Sequence, residues 1–169
     1  MQYDLGHYSA YSKSFLLKKY NDLNHAKTIK KMIRNEMSFF GKKILIIGGS
    51  RGIGFLVTQF LCLAGSKVIS TYRMNLQELK KFKTKLKIKS LKIKKLDVNS
   101  NSDINFFFKN NTKFDYLFYF PTIKIKKNNS EKFNNVYYDE LIEIYIKKLN
   151  LVIKKLDNKK IKIFIPSTH

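Results

Sequence analysis

Five short apolar runs alternate with four helix-patterned stretches between residues 42 and 166, and no other feature limits the fold so tightly. The runs are KKILIIGG, SKVISTYR, LKIKKLDV, FDYLFYF and KIKIFIP. They are short and carry β-branched or aromatic residues, so they read as strands. LKIKKLDV alternates apolar and polar residues, which predicts a strand near a sheet edge. The segments between them are GFLVTQFLCLAG, NLQELKKFKTKL, SDINFFFKNN and VYYDELIEIYIKKLNLVIKKL, and they read as helices. Gly65 predicts the end of the first helix, and Asn75 the N-cap of the second. In the long fourth helix, Leu141, Tyr145, Lys148, Leu149 and Val152 share one side. PTIKIKKNNSEKFNN, before it, reads as polar loop. Strands alternating with helices imply right-handed crossovers. The predicted fold is therefore α/β: a doubly wound parallel sheet of about five strands with helices on both faces.

The first 40 residues have a different pattern. Leu16, Tyr20, Leu23, Ala26, Ile29 and Ile33 recur at steps of three or four, which predicts one face of an amphipathic helix. The expected organisation is a helical extension or tail over 1–40, followed by one domain over 41–169. At 169 residues the chain has room for one domain and a sizeable core. No stretch reaches the ~20 apolar residues that cross a bilayer. The N-terminus lacks the apolar core of a secretory signal. Cys62 is the only cysteine, so no internal disulfide can form, and its apolar surroundings predict a buried thiol. A cytoplasmic protein without membrane partners is the expectation. No metal-ligand cluster stands out.

The net charge of +22 points to polyanions. However, of 34 basic residues only Arg34, Arg51 and Arg73 are arginines. The lysines run through every segment alongside many Asn, Ile, Phe and Tyr. That is the signature of an AT-rich coding sequence, not of a built patch. Salt-dependent, non-specific polyanion binding is still expected from the charge itself.

The most informative stretch is ILIIGGSRGIG, residues 44–54. In a sheet of this kind, phosphates bind at the turn after the first strand, on N–H groups at the helix N-terminus. Glycines are needed there because a Cβ blocks both the sharp turn and the approach of a pyrophosphate. Gly48, Gly52 and Gly54 have G-x-x-x-G-x-G spacing. They follow a strand and open a helix, which is the context that gives such a pattern meaning.

GGSRGIG resembles the cofactor loop of the short-chain dehydrogenase/reductase family. The similarity runs from about residue 42 to 168 and includes "LDV" after the third strand. The resemblance implies a Rossmann fold and hydride transfer between a nicotinamide and a small carbonyl or alcohol. It implies cofactor contacts from Gly48, Ser50, Arg51, Gly52, Ile53, Gly54, Tyr72 and Arg73, with Asp97 and Val98 at the adenine. NAD-selective sites place an acid at the end of the second strand. Here that end reads STYR, and Arg51 and Arg73 match family positions that hold a 2′-phosphate. Guanidinium suits phosphate, so the expected cofactor is NADP(H).

Several positions depart from the family. Ile47 stands for its usual Thr. Tyr119, Phe120, Pro121 and Thr122 stand for Asn-Asn-Ala-Gly, and Tyr145 for the catalytic Asn. These residues resemble a divergent branch that reads Tyr-Phe-Ala-Thr-Pro. Ser167 aligns with the family's catalytic Ser. The Tyr-x-x-x-Lys pair has no counterpart, since Lys13 lies five residues after Tyr8 and five-residue spacing diverges around a helix. The expectation is a truncated oxidoreductase domain, impaired or inactive alone. Its last strand would need a second copy or a partner protein to cover it. The alternative is a non-catalytic Rossmann module that holds a partner or polyanion through its lysines.

Overall fold

A computed structural model describes residues 39–123, 134–158 and 160–166. The expected helix through Leu16 and Ile33, most of the polar loop and Ser167 lie outside the described residues.

The apolar runs form β1 (Lys43–Ile47), β2 (Lys67–Tyr72), β3 (Leu91–Lys95), β4 (Tyr116–Tyr119) and β5 (Lys162–Phe164). Between them lie α1 (Gly52–Leu63), α2 (Gln77–Lys85) and α3 (Asn101–Phe108). Before β5 comes a long helical rod of α4 (Asn135–Ile142), a π-helical segment (Glu143–Lys148) and α5 (Leu149–Lys154). The five strands make one sheet in the order β3-β2-β1-β4-β5, with every pair parallel. The order reverses between β1 and β4, so a crevice opens at the carboxyl ends of those two strands. This is the predicted doubly wound Rossmann sheet, with β3 at an edge as its alternation suggests.

The core divides by strand face, because successive side chains point to opposite sides. Ile44, Ile46 and Val68 pack with Leu61 and Cys62 of α1, Phe82 of α2 and Leu91. Leu45, Ile47, Leu117 and Tyr119 pack on the other side with α3 and the long rod. Each fully buried aliphatic side chain contributes roughly 1.5–3 kcal/mol. Helix α1 ends as Gly65 predicts: at φ +84° its N–H reaches the Cys62 carbonyl, and the Ser66 N–H reaches that of Leu61. That pair of bonds closes the orphan carbonyls of the last turn.

Three sequence expectations need correction. Asn75 is not the N-cap of α2: Leu76 takes that position, without a side-chain cap. The turn that seats Leu79 and Phe82 in the core starts the helix there. The long helix is not regular, because the π segment shifts its register and buries Ile144, while Leu141 stays half-buried. Finally, the last strand is shorter than KIKIFIP, with only Lys162–Phe164 paired to β4.

Candidate functional site

The glycine turn sits in the crevice, and its backbone is fixed by close approach. A Cβ on Gly54 would run into the carbonyl oxygen of Gly48, which is backbone and cannot swing aside. Gly48 itself has φ +80°, and a Cβ there would lie 3.0 Å from the backbone of Phe120, at the end of β4. The turn is therefore wedged between the start of α1 and the neighbouring strand.

Polar groups beneath the turn hold it. The Gly48 N–H donates to Thr71 Oγ1 at 3.2 Å, and the Gly49 N–H to the Thr71 carbonyl at 3.0 Å. The buried Thr58 hydroxyl donates to the Gly54 carbonyl at 2.8 Å and lies 3.0 Å from Ser70 Oγ. A Cβ on Gly49 would overlap both hydroxyls. Nothing in the spacing of the sequence marks Thr58, Ser70, Thr71 or Gly49. Their roles appear only when α1 and β2 come together.

Above the turn, the helix end is open. Arg51 is the N-cap of α1, in extended conformation, with no side-chain capping bond, and no acid lies in the first turn. The first-turn N–H groups of a helix have no partners within it and carry partial positive charge. Arg51, Gly52 and Ile53 are exposed around them, with Ile53 at 65%. Ser50 and Gly54 are buried.

Tyr72 closes β2 and Arg73 follows it, while Asp97 and Val98 follow β3, the adjacent strand. The structure joins two of these candidates directly: Arg73 Nε lies 3.2 Å from Asp97 Oδ2. Asp97 Oδ1 accepts from the Asn99 N–H at 3.0 Å. The Val98 side chain points into the core.

The residues at the end of β4 and on the long rod have structural work. Tyr119 is fully buried, and its hydroxyl donates to the Ile144 carbonyl in the π segment at 2.8 Å. This bond ties the end of β4 to the π segment. Burial, and secondarily Tyr145, pushes the Tyr119 phenol well above its ordinary range. Tyr145 is half-buried against the same core. Lys148, on the same rod, is buried and donates to Asn101 Oδ1 at 2.8 Å, with Glu143 Oε1 at 3.2 Å. Among the described residues no cluster of three or more His, Cys, Asp or Glu could hold a metal ion. Among them, too, no helix is long and apolar enough to cross a membrane.

No family model matches the chain, and neither does any curated protein. Solved structures do match. One is Pseudomonas aeruginosa RhlG in an active-site complex with NADP, at 20% identity and TM-score 0.59, covering 70% of this chain and 48% of that one. A double mutant of a Serratia marcescens short-chain dehydrogenase/reductase matches at 16% identity and TM-score 0.58, covering 70% and 51%. BdcA in complex with NADPH matches at 23% identity and TM-score 0.57, covering 70% and 47%. The chain thus spans about half the length of these structures. Likeness at these identities concerns the backbone: the chain has the Rossmann fold of the short-chain dehydrogenase/reductase family.

Proposed function

We propose that this chain binds NADP(H) as the dinucleotide-binding part of a short-chain oxidoreductase acting on a small carbonyl or alcohol. One observation carries the reading. Of three arginines in a lysine-rich chain, one stands at the N-cap of α1 within the glycine turn and another directly follows β2, the strand next to that turn. The solved neighbours that hold NADP or NADPH add support. The pyrophosphate would lie on the N–H groups of the Gly48–Gly54 turn, beside Ser50 and Ile53. Arg51 and Arg73 would take the 2′-phosphate, and Tyr72, Asp97 and Val98 would border the adenosine. The bound nicotinamide would supply the hydride. Tyr119 is unsuited to move the accompanying proton, because it is buried and its hydroxyl is committed to Ile144. Ser167 remains the candidate that would orient the substrate oxygen. A cytoplasmic setting accords with a free, buried Cys62.

Calorimetric titration with NADPH and NADH, at low and moderate salt, tests the reading. Charge-assisted bonds of about 1.5–3 kcal/mol each give NADPH at least a tenfold advantage that Arg51→Met or Arg73→Met removes. Equal affinity for the two cofactors would overturn it.

A second reading has its own observation. Ile163, Phe164 and Ile165 at the β5 edge are exposed, beside an aromatic cluster of Phe118, Phe120 and Phe164. That edge suits a covering protein surface, whether a second copy or another protein. In this reading the scaffold is a non-catalytic binding module, with its lysines available to polyanions. Its nucleotide binding would collapse with salt and ignore single arginine substitutions.

A further inference from the structure

On the NADP(H) reading, the Arg73–Asp97 ion pair lies where the adenosine end of the dinucleotide would sit. A pyrophosphate on the N-terminus of α1 directs the adenosine across the carboxyl ends of β2 and β3. Arg73 follows β2 and Asp97 follows β3, and Leu96 is tied to β2 by its N–H bond to the Tyr72 carbonyl at 3.0 Å. The two members of the pair are not equivalent. Asp97 is anchored: its side chain is 28% exposed, Oδ1 accepts from Asn99, and its own N–H donates to Asp103 Oδ2 at 3.4 Å. Arg73 is 58% exposed and reaches Asp97 through Nε. A phosphate approaching Arg73 therefore meets a guanidinium already paired with a fixed carboxylate, and that carboxylate also repels it.

We propose that Asp97 is an internal competitor for the 2′-phosphate, a specificity-determining residue that holds Arg73 in the cofactor-free protein and yields it only to a more highly charged anion. This rests on the NADP(H) reading above. A 2′-phosphate carries more charge and more acceptor oxygens than a carboxylate, so it displaces Asp97 from Arg73. A ribose 2′-hydroxyl does not, and with NADH the pair stays closed. Asp97 thus lowers the affinity for NADPH relative to that for NADH.

The test is calorimetric titration of NADPH and NADH into the full chain and its Asp97→Asn variant. Asparagine keeps the Oδ1 acceptor for Asn99 and removes the charge. An exposed pair of this kind is expected to restrain NADPH affinity by roughly two- to fivefold. Because Asp97 would border the adenosine of either cofactor, the readout is the ratio of the two affinities, and D97N is expected to raise it in favour of NADPH by that factor. The gain should shrink when D97N is made on an Arg73→Met background. A ratio that D97N lowers or leaves unchanged, or the same gain without Arg73, would overturn the proposal. A second measurement needs no variant: the NMR signal of the Arg73 side-chain Nε–H should move further on adding NADPH than on adding NADH, and equal shifts would overturn the proposal. If the unaltered chain binds neither cofactor, the cofactor reading itself fails, and this proposal with it. NADPH binding by the unaltered chain with an inert D97N defeats the proposal alone.

Discussion

Gly54 is the residue at which the smallest change should do the most local damage. Its missing Cβ is the space occupied by the Gly48 carbonyl, and that carbonyl belongs to a turn pinned from below by Thr71 and from the side by Phe120. Gly54→Ala must push the two backbones apart. Overpacking of this kind costs about 1–3 kcal/mol, and it also moves the N–H groups that would face a pyrophosphate. The expected outcome is a lower melting temperature together with NADPH binding weakened beyond calorimetric detection. An alanine variant that melts and binds like the parent would show that the turn relaxes freely. The G-x-x-x-G-x-G spacing makes Gly54 a candidate in the sequence. The reason for it, contact with Gly48, needs the folded turn.

At the scale of elements, the long rod shows how one irregularity ties helices together. Glu143 opens the π segment, lies 3.2 Å from both Lys147 and Lys148, and Lys148 in turn reaches Asn101 at the start of α3. Hydrogen bonds to Lys147 and then Lys148 hold the Glu143 carboxyl below its ordinary range. A carboxyl whose folded pKa is depressed contributes stability above its unfolded pKa, and that stability is lost as pH falls through the folded value. Glu143→Gln should therefore lower the melting temperature at pH 7. The gap to the parent should close as pH drops below the ordinary glutamate range of about 4.3. A gap that is constant with pH would mean the charge does not matter there. The 3.6-residue spacing places Lys148 on the inward side of this rod. It carries no sign of the π segment, nor of the bond by which Tyr119 meets its Ile144 carbonyl across 25 residues of chain.

For the whole molecule, a charge of +22 and an apolar edge work against each other. Like charges keep copies apart at low salt, and the Debye length falls from about 10 Å at 0.1 M to about 3 Å at 1 M. The exposed strand β5, with Phe164 at 49%, is a template for pairing once that repulsion is screened. Light scattering should show association that rises with salt, and Phe164→Lys should move its onset to higher salt. An onset unchanged by that substitution would place the contact elsewhere.

Local pattern decided most of the architecture in advance. The order of strands and helices, the edge character of β3, the glycine turn after β1 and the stop at Gly65 all follow from periodicity and from glycine's backbone freedom, which act within a few residues. Tertiary structure decided what joins distant segments: the order β3-β2-β1-β4-β5, the seat of the turn against Phe120, the Thr58–Ser70 support, the Tyr119 bond to the π segment and the pairing of Arg73 with Asp97. Those contacts depend on strand register and on the approach of elements far apart in sequence, and no spacing within a single segment encodes them.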